Sequence, residues 1–182
     1  MVGNFTKTGG TFNEGSGTIS FNGTAAQTIS VNDATRTFYN VSINNGNGVS
    51  IIAPATNLVV SNTLAFSNGK FTIGSNTLTL NGTISGMSAA NSFIGSATSN
   101  MTIGGSGALG SLFFDMVTPG VNRLNVLTIN RTGAGSVNIG SDLQVRTTLT
   151  LTNGLLTTGV NKLIINSTGS VSRTNGYVNG NL

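Results

Sequence analysis

Residues 64–82 read LAFSNGKFTIGSNTLTLNG and contain the pattern that decides the fold. Apolar and polar residues alternate in three short runs, so each run places its apolar side chains on one face, as a half-buried β-strand does. The pairs Asn68-Gly69 and Asn81-Gly82 follow two of these runs. Both residue types tolerate a positive φ, so each pair favours a sharp corner. The apolar residues of the three runs are Leu64, Phe66, Phe71, Ile73, Leu78 and Leu80.

Beyond this stretch, large apolar residues recur every six or seven positions, both in residues 58–84 and in residues 143–171. A strand of four or five residues and a two-residue corner fill that interval, and three such strands make a coil of about 20 residues. A β-sandwich would also use Asn-Gly corners, but its strands are spaced by about 8 to 12 residues. The sequence therefore predicts an all-β fold, a parallel β-helix (β-solenoid) with about 20 residues per coil.

A longer repeat lies over the short one. Residues 38–44 align with residues 124–130, and residues 64–71 with residues 149–156, at an offset of about 85 residues. We expect two copies of a roughly 85-residue unit, stacked along one axis because each copy buries its open end against the next. The predicted organisation is a single continuous β-solenoid over residues 1–182, with internal repeat 1 at 38–86, a join at 87–119 and internal repeat 2 at 120–173.

The alternation also predicts the core, because alternate residues of each strand must point inward. Burial of each large apolar side chain contributes about 1.5 to 3 kcal/mol, which suffices to stabilise the stack without a disulfide or a metal. The predicted inward residues are Leu58, Val60, Leu64, Phe66, Phe71, Ile73, Leu78, Leu80, Leu143, Val145, Leu149, Leu151, Leu156, Leu163 and Ile165.

The composition narrows the possible chemistry. Histidine, cysteine and tryptophan are absent and only 7% of residues are charged, which removes His-based catalysis, Cys nucleophiles and the common zinc sites. We expect no enzymatic activity and no cofactor. The net charge of +4 comes from single scattered Lys and Arg residues, a pattern that does not favour nucleic acid binding. No stretch reaches the roughly 18 apolar residues of a membrane helix, so we expect no membrane insertion.

The four acidic residues stand far apart at Glu14, Asp33, Asp115 and Asp142. Asp115 follows an apolar run and precedes Pro119-Gly120, so a turn-capping carboxylate is the first interpretation. The alternative is a calcium ligand or a catalytic acid acting with Arg123, as in a polysaccharide-active β-helix.

The candidate ligand-binding residues are threonines that form rows of outward side chains. The residues are Thr77, Thr79, Thr148, Thr150 and Thr152, which alternate with apolar residues and so point outward. A flat array of hydroxyl groups can bind ice, a crystalline polysaccharide or surface glycans. The same array is also a simple way to make a strand surface soluble.

The amino-acid sequence of several segments resembles the repeat regions of very large surface proteins that Bacteroidota export, typically through the type IX secretion system. The segments are residues 17–30, 38–45, 64–82, 112–115, 127–133 and 176–182. The resemblance implies a stalk or adhesive fibre at the cell surface or outside the cell. It transfers no catalytic motif, and residues 1–4 lack the basic start and apolar core of a signal peptide.

The sequence thus favours a structural or adhesive segment of an extracellular surface fibre, self-associating end to end or laterally through stacked β-coils. The first alternative is an ice- or carbohydrate-binding module that uses the outward threonines. The second is a polysaccharide-active enzyme of the β-helix type centred on Asp115 and Arg123.

Overall fold

The computed structural model describes residues 1–54 and 56–181, and within these residues the chain forms eighteen strands and no helix. Among these residues, accordingly, no helix is of a length and apolarity that would cross a bilayer. The strands are β1 (Phe5–Lys7), β2 (Thr18–Phe21), β3 (Gln27–Val31), β4 (Thr35–Asn44), β5 (Val49–Ile51), β6 (Asn57–Asn68), β7 (Phe71–Thr72), β8 (Thr77–Leu80), β9 (Thr83–Ser85), β10 (Phe93–Ile94), β11 (Asn100–Ile103), β12 (Ser106–Leu112), β13 (Arg123–Asn130), β14 (Thr132–Ile139), β15 (Leu143–Asn153), β16 (Leu155–Ile165), β17 (Ser170–Arg173) and β18 (Tyr177–Asn181).

The strands wind as a parallel β-solenoid of about 8 turns with roughly 20 residues per coil, which confirms the predicted fold class. Each strand pairs in parallel with its counterpart one turn earlier or later. Leu58 in β6 lies beside Leu78 in β8, and Leu78 lies beside Met101 in β11. At the usual spacing of about 4.8 Å between strands, eight turns extend for about 40 Å along the axis.

Successive strands of one coil belong to three stacks. The first stack contains β1, β3, β5, β7 and β10 and continues through an isolated bridge from Phe93 to Phe114. The second stack runs through residues 35–38, 57–60, 77–80, 100–103, 126–129, 148–151 and 170–173. The third contains β2, the later halves of β4 and β6, and β9, and then β12, β14, the start of β16 and β18. The long strands bend at a corner and serve two stacks.

One continuous apolar core fills the interior along the whole axis. All of the inward residues predicted from the alternation are buried except Ile165, which is partly buried and packs against the same core. The core residues stack on one another in register, as Leu58, Leu78, Met101 and Leu127 do in the second stack. The prediction of the core is therefore confirmed, with Ile165 less covered because few later residues lie over it.

The asparagines and glycines of the corners hold neighbouring coils together. The Nδ2 of Asn62 donates to Oδ1 of Asn40 at 2.8 Å, and the Nδ2 of Asn153 donates to Oδ1 of Asn130 at 2.8 Å. Glycine is needed where corners approach closely, since a Cβ on Gly82 would lie 1.6 Å from the carbonyl oxygen of Asn62. Asparagines at the corners thus add ladders between coils, and glycines such as Gly82 allow the corners of neighbouring coils to approach closely.

The 85-residue sequence repeat does not correspond to a whole number of turns. Residues 40–43 belong to the third stack, whereas the aligned residues 126–129 belong to the second. The same displacement relates residues 64–66 in the third stack to residues 149–151 in the second. The second copy is therefore shifted along the axis relative to the first. It is also rotated about the axis, so that a segment of the third stack in the first copy corresponds to a segment of the second stack in the second copy.

We predict that Leu78→Ala destabilises the protein by about 2 to 5 kcal/mol, because Leu78 is fully buried between Leu58 and Met101 and truncation leaves a cavity. The matched control is Thr77→Ala on the same strand, which faces outward and should change stability by less than about 0.5 kcal/mol. Chemical denaturation of the two variants provides the comparison. Equal midpoints would contradict the assignment of the core.

Candidate ligand-binding face

The structure brings four of the five predicted threonines to one face of the solenoid. Thr77 and Thr79 of β8 and Thr148 and Thr150 of β15 all point outward from the second stack. Thr77 and Thr148 belong to one column of side chains along the axis, and Thr79 and Thr150 belong to the next column. Two sequence segments about 70 residues apart thus contribute to one surface.

The second of these columns is an almost continuous row of hydroxyl groups, which we call the threonine ladder. It includes three residues that the sequence analysis missed, Thr102 of β11, Thr128 of β13 and Ser172 of β17. In axial order the ladder is Thr79, Thr102, Thr128, Thr150 and Ser172. The signal that could have found them is a hydroxyl residue between two buried apolar residues, as in Met101-Thr102-Ile103 and Leu127-Thr128-Ile129.

The neighbouring column is more mixed. Its members over the same five coils are Thr77, Asn100, Val126, Thr148 and Ser170. The two columns are about 6.7 Å apart, because residues two positions apart on a strand face the same side, and successive rungs are about 4.8 Å apart. The surface is therefore a regular grid of small uncharged side chains, with one apolar position at Val126.

The fifth predicted residue, Thr152, lies outside this grid. It follows a register shift in the pairing of β13 with β15, between Ile129 and Asn130, and stands at the corner beyond Leu151. Its carbonyl oxygen accepts a hydrogen bond from the N–H of Asn175 at 2.9 Å. Thr152 therefore lies at the corner next to Thr148 and Thr150, beyond the last residue that pairs in the register of the grid.

Hydroxyl columns also occur on the other two stacks. Thr28, Ser50 and Thr72 lie in register on the first stack. On the third stack, Ser20 and Ser42 are followed by Ala65 and then Ser85. Outward hydroxyls are thus a general feature of this surface, and the threonine ladder differs from the others in its length and regularity.

Asp115 is held by a lysine from an earlier coil. Its side chain is fully buried, the Nζ of Lys70 lies 2.9 Å from Oδ2, and Oδ1 accepts the backbone N–H of Val117 at 3.0 Å. Burial opposes ionisation, but Lys70 and the N–H of Val117 hold the pKa of Asp115 below its usual value.

Arg123, the partner proposed for Asp115 from the sequence, instead donates from Nε to the carbonyl oxygen of Gly120. The structure therefore assigns Asp115 to a turn-capping ion pair that fastens the loop of residues 116–120 to the solenoid. A shallow cleft beside this loop, of about 320 Å³, is lined by Phe113, Met116 and Asp142 among others.

Two of the remaining acids also serve the fold. Asp33 binds Lys7 and Arg36, which lowers its pKa through hydrogen bonds first from Arg36 and then from Lys7. The Oδ1 of Asp142 accepts the N–H of Lys162 at 2.8 Å. Over residues 1–54 and 56–181, the structure contains no group of three or more acidic side chains able to hold a metal ion.

Arg131 is a buried cation that the sequence analysis did not single out. Its guanidinium donates to the carbonyl oxygens of Gly107, Gly104 and Ser106 at 2.7, 2.6 and 2.5 Å. Burial lowers the pKa of Arg131. The side chain binds the corner of the preceding coil, and the coil between these two corners is 26 residues long, since Met101 pairs with Leu127.

The fold and the regular outward columns define the class of protein, a parallel β-solenoid repeat protein. A scan against protein-family models, a search of curated proteins and a search of solved structures each found no match to this chain.

We predict that Asp115→Asn reduces the loss of stability between pH 5 and pH 2. The pKa of Asp115 is lower in the folded state than in the unfolded state, where it is about 3.9. Its ionised form therefore contributes stability above about pH 4, and this contribution disappears as the pH falls through the folded pKa. Thermal unfolding midpoints across the pH range measure the effect.

A companion variant separates the ion pair from other acid effects. Lys70→Met leaves a buried carboxylate without its cation, so it should destabilise the protein more at pH 7 than at pH 3. An unchanged pH profile in both variants would contradict the role of the pair.

Proposed function

We propose that this chain is a structural or adhesive segment of an extracellular surface fibre, and that its stacked coils are the working part. The single observation that carries the proposal is the parallel pairing of each coil with the next, unbroken in the second stack from β4 to β17, around one apolar core. The resemblance of the repeats to exported Bacteroidota surface proteins supports the same interpretation.

The geometry suits a load-bearing rod. Hydrogen bonds between parallel strands run along the axis, so a pulling force on the solenoid is shared by bonds in three stacks at every coil interface. Asparagine ladders such as Asn130 to Asn153 add side-chain bonds in the same direction. Each coil contacts its neighbours, so adding coils lengthens the rod.

The surface suits contact with other polar surfaces. The outward columns consist of hydroxyl and amide side chains with few charges, which can form many weak hydrogen bonds to a glycan or to a neighbouring chain. Such contacts give adhesion through the number of bonds rather than through a deep pocket.

We predict that the protein self-associates in a concentration-dependent manner. Sedimentation velocity over a concentration series, together with negative-stain electron microscopy, should reveal assemblies larger than the monomer. A chain that stays strictly monomeric at high concentration would contradict the self-associating part of the proposal.

The second candidate function is binding of ice or of a crystalline carbohydrate at the threonine ladder. Its specific support is the five-rung column of Thr79, Thr102, Thr128, Thr150 and Ser172, which repeats a hydroxyl at every coil. A regular grid of this kind can match a regular array of oxygen atoms over several repeats at once.

We predict that Thr150→Lys abolishes such binding, because a long charged side chain in the middle of the ladder lifts a flat ligand off the neighbouring rungs. The matched control is Thr72→Lys, at a half-buried outward position on the first stack, which should leave binding unchanged. Thermal hysteresis and glycan-array binding are the measurements. If neither assay detects activity in the unaltered protein, this second candidate is refuted and the structural role stands.

A further inference from the structure

Phe113 is an aromatic residue at an outward position in the middle of the solenoid. It lies between Leu112 and Phe114, which are buried in the core, and its own side chain is only half-buried. The carbonyl oxygen of Phe113 accepts the N–H of the first residue of the first-stack strand one coil earlier. In the three preceding coils the residues that make this same hydrogen bond are Gly48, Lys70 and Ser92. A large apolar ring at this position is therefore a departure from the repeat.

Gly140 of the following coil provides the space that the ring occupies. Its N–H donates to the carbonyl oxygen of Leu112 at 2.7 Å, so the backbones of the two coils are in direct contact here. A Cβ on Gly140 would overlap the end of the Phe113 ring. Because the backbone of Gly140 does not have a positive φ, the glycine is needed for space and not for its conformation.

The loop of residues 116–120 forms a wall beside the ring. The N–H of Phe114 donates to the Oγ of Ser141, 27 residues later, at 2.8 Å, so the coil is longer here than the average turn. Part of the extra length stands out as this loop, whose Met116 is 53% exposed. The ion pair of Lys70 with Asp115 holds the base of the loop in place.

Ring, glycine and loop enclose the shallow cleft of about 320 Å³ described above, which we call the Phe113 cleft. Pockets that bind small molecules begin at about 300 Å³, so the cleft has room for one ring-sized group. Its lining residues are Ala89, Phe113, Phe114, Met116, Gly140, Ser141, Asp142 and Asn161.

The polar side of the cleft presents two hydrogen-bond acceptors on side chains that the backbone holds in place. Asp142 is fixed because its Oδ1 accepts the N–H of Lys162 at 2.8 Å. Asn161 is fixed because its Nδ2 donates to the carbonyl oxygen of Ile139 at 3.0 Å. Over residues 1–54 and 56–181, Oδ2 of Asp142 and Oδ1 of Asn161 have no hydrogen-bond partner. Both atoms are therefore available to a ligand.

This combination of groups selects the chemistry of a ligand. The two free acceptors require hydrogen-bond donors, the carboxylate of Asp142 repels an anion, and the net charge of +4 disfavours a cation. The negative face of an aromatic ring such as Phe113 attracts weakly positive C–H groups. A neutral pyranose ring meets both demands, because it has hydroxyl donors around its rim and an apolar C–H face.

We propose that the Phe113 cleft binds one pyranose unit of a neutral glycan. The sugar packs its C–H face on Phe113 and donates hydroxyl hydrogen bonds to Asp142 and Asn161. Because the cleft is shallow, the rest of the glycan extends outside it. The inference rests on the adhesive part of the proposed function and names its ligand, but it requires neither self-association nor the threonine ladder.

The experiment titrates methyl glycosides of glucose, galactose, mannose and N-acetylglucosamine into the ¹⁵N-labelled full chain and follows the amide signals by NMR. We expect saturable binding of at least one glycoside with a dissociation constant in the millimolar range. The shifted amides should be those of residues 113–116, 140–142 and 161. Saturation transfer from aromatic protons should be strongest to the C–H protons on one face of the sugar.

Three variants test the cleft. Phe113→Leu keeps an apolar side chain but removes the flat ring, and Gly140→Ala pushes the ring into the cleft, so each should weaken binding at least tenfold. Asn161→Ala removes one acceptor without altering the aromatic wall and should weaken binding severalfold, which covers the case in which the first two variants unfold. The matched control is Tyr39→Leu, which removes a half-buried aromatic ring from β4 and should leave binding unchanged.

Absence of saturable binding of all four glycosides would overturn the inference. Binding that survives Phe113→Leu but is lost in Thr150→Lys would also overturn it, and would assign the sugar to the threonine ladder. Shifts of the same amides with lysine methyl ester, and with none of the glycosides, would refute a sugar as the ligand.

The same titration separates this inference from the fibre proposal. A chain that binds a glycoside in the cleft but stays monomeric would retain the inference and refute self-association. A chain that assembles but binds none of the glycosides would refute the inference and retain self-association.

Discussion

The structure depends on in-register parallel pairing between strands one turn apart. A coil of three short strands cannot bury its apolar residues or pair its backbone by itself, so each coil is stable only against its neighbours. The pairing of Leu58 with Leu78 and of Leu78 with Met101 aligns inward side chains on inward side chains. A slip of one residue would exchange the inner and outer faces of a whole stack. The same register therefore places the apolar residues in the core and the hydroxyl residues in columns on the outside.

The ion pairs and the buried cation occupy a few particular places in this stack of coils. The ion pairs of the described residues join Lys7 and Arg36 to Asp33 in the first coils and Lys70 to Asp115 beneath the loop of residues 116–120. Arg131 stands at a turn lengthened to 26 residues. At Asp115 the carboxylate serves the packing of a loop.

The same register links the fold to the proposed functions. Because every coil repeats the outward positions of the one before it, one threonine per strand is enough to form a ladder that runs along the axis. The lateral face therefore follows from the repeat.

The sequence by itself determined the parallel solenoid, the coil length and nearly all of the core. These features follow from the alternation of apolar and polar residues and from the spacing of the corners, and both are local properties of the sequence. It also identified Thr77, Thr79, Thr148 and Thr150 as outward residues. Only the tertiary structure decided that these four share one face, because the 85-residue repeat steps by one stack and coil lengths vary between corners. The pairing of Asp115 with Lys70 was equally out of reach. It depends on which residues lie one or two turns away, and that distance is set by the lengths of all the corners between them.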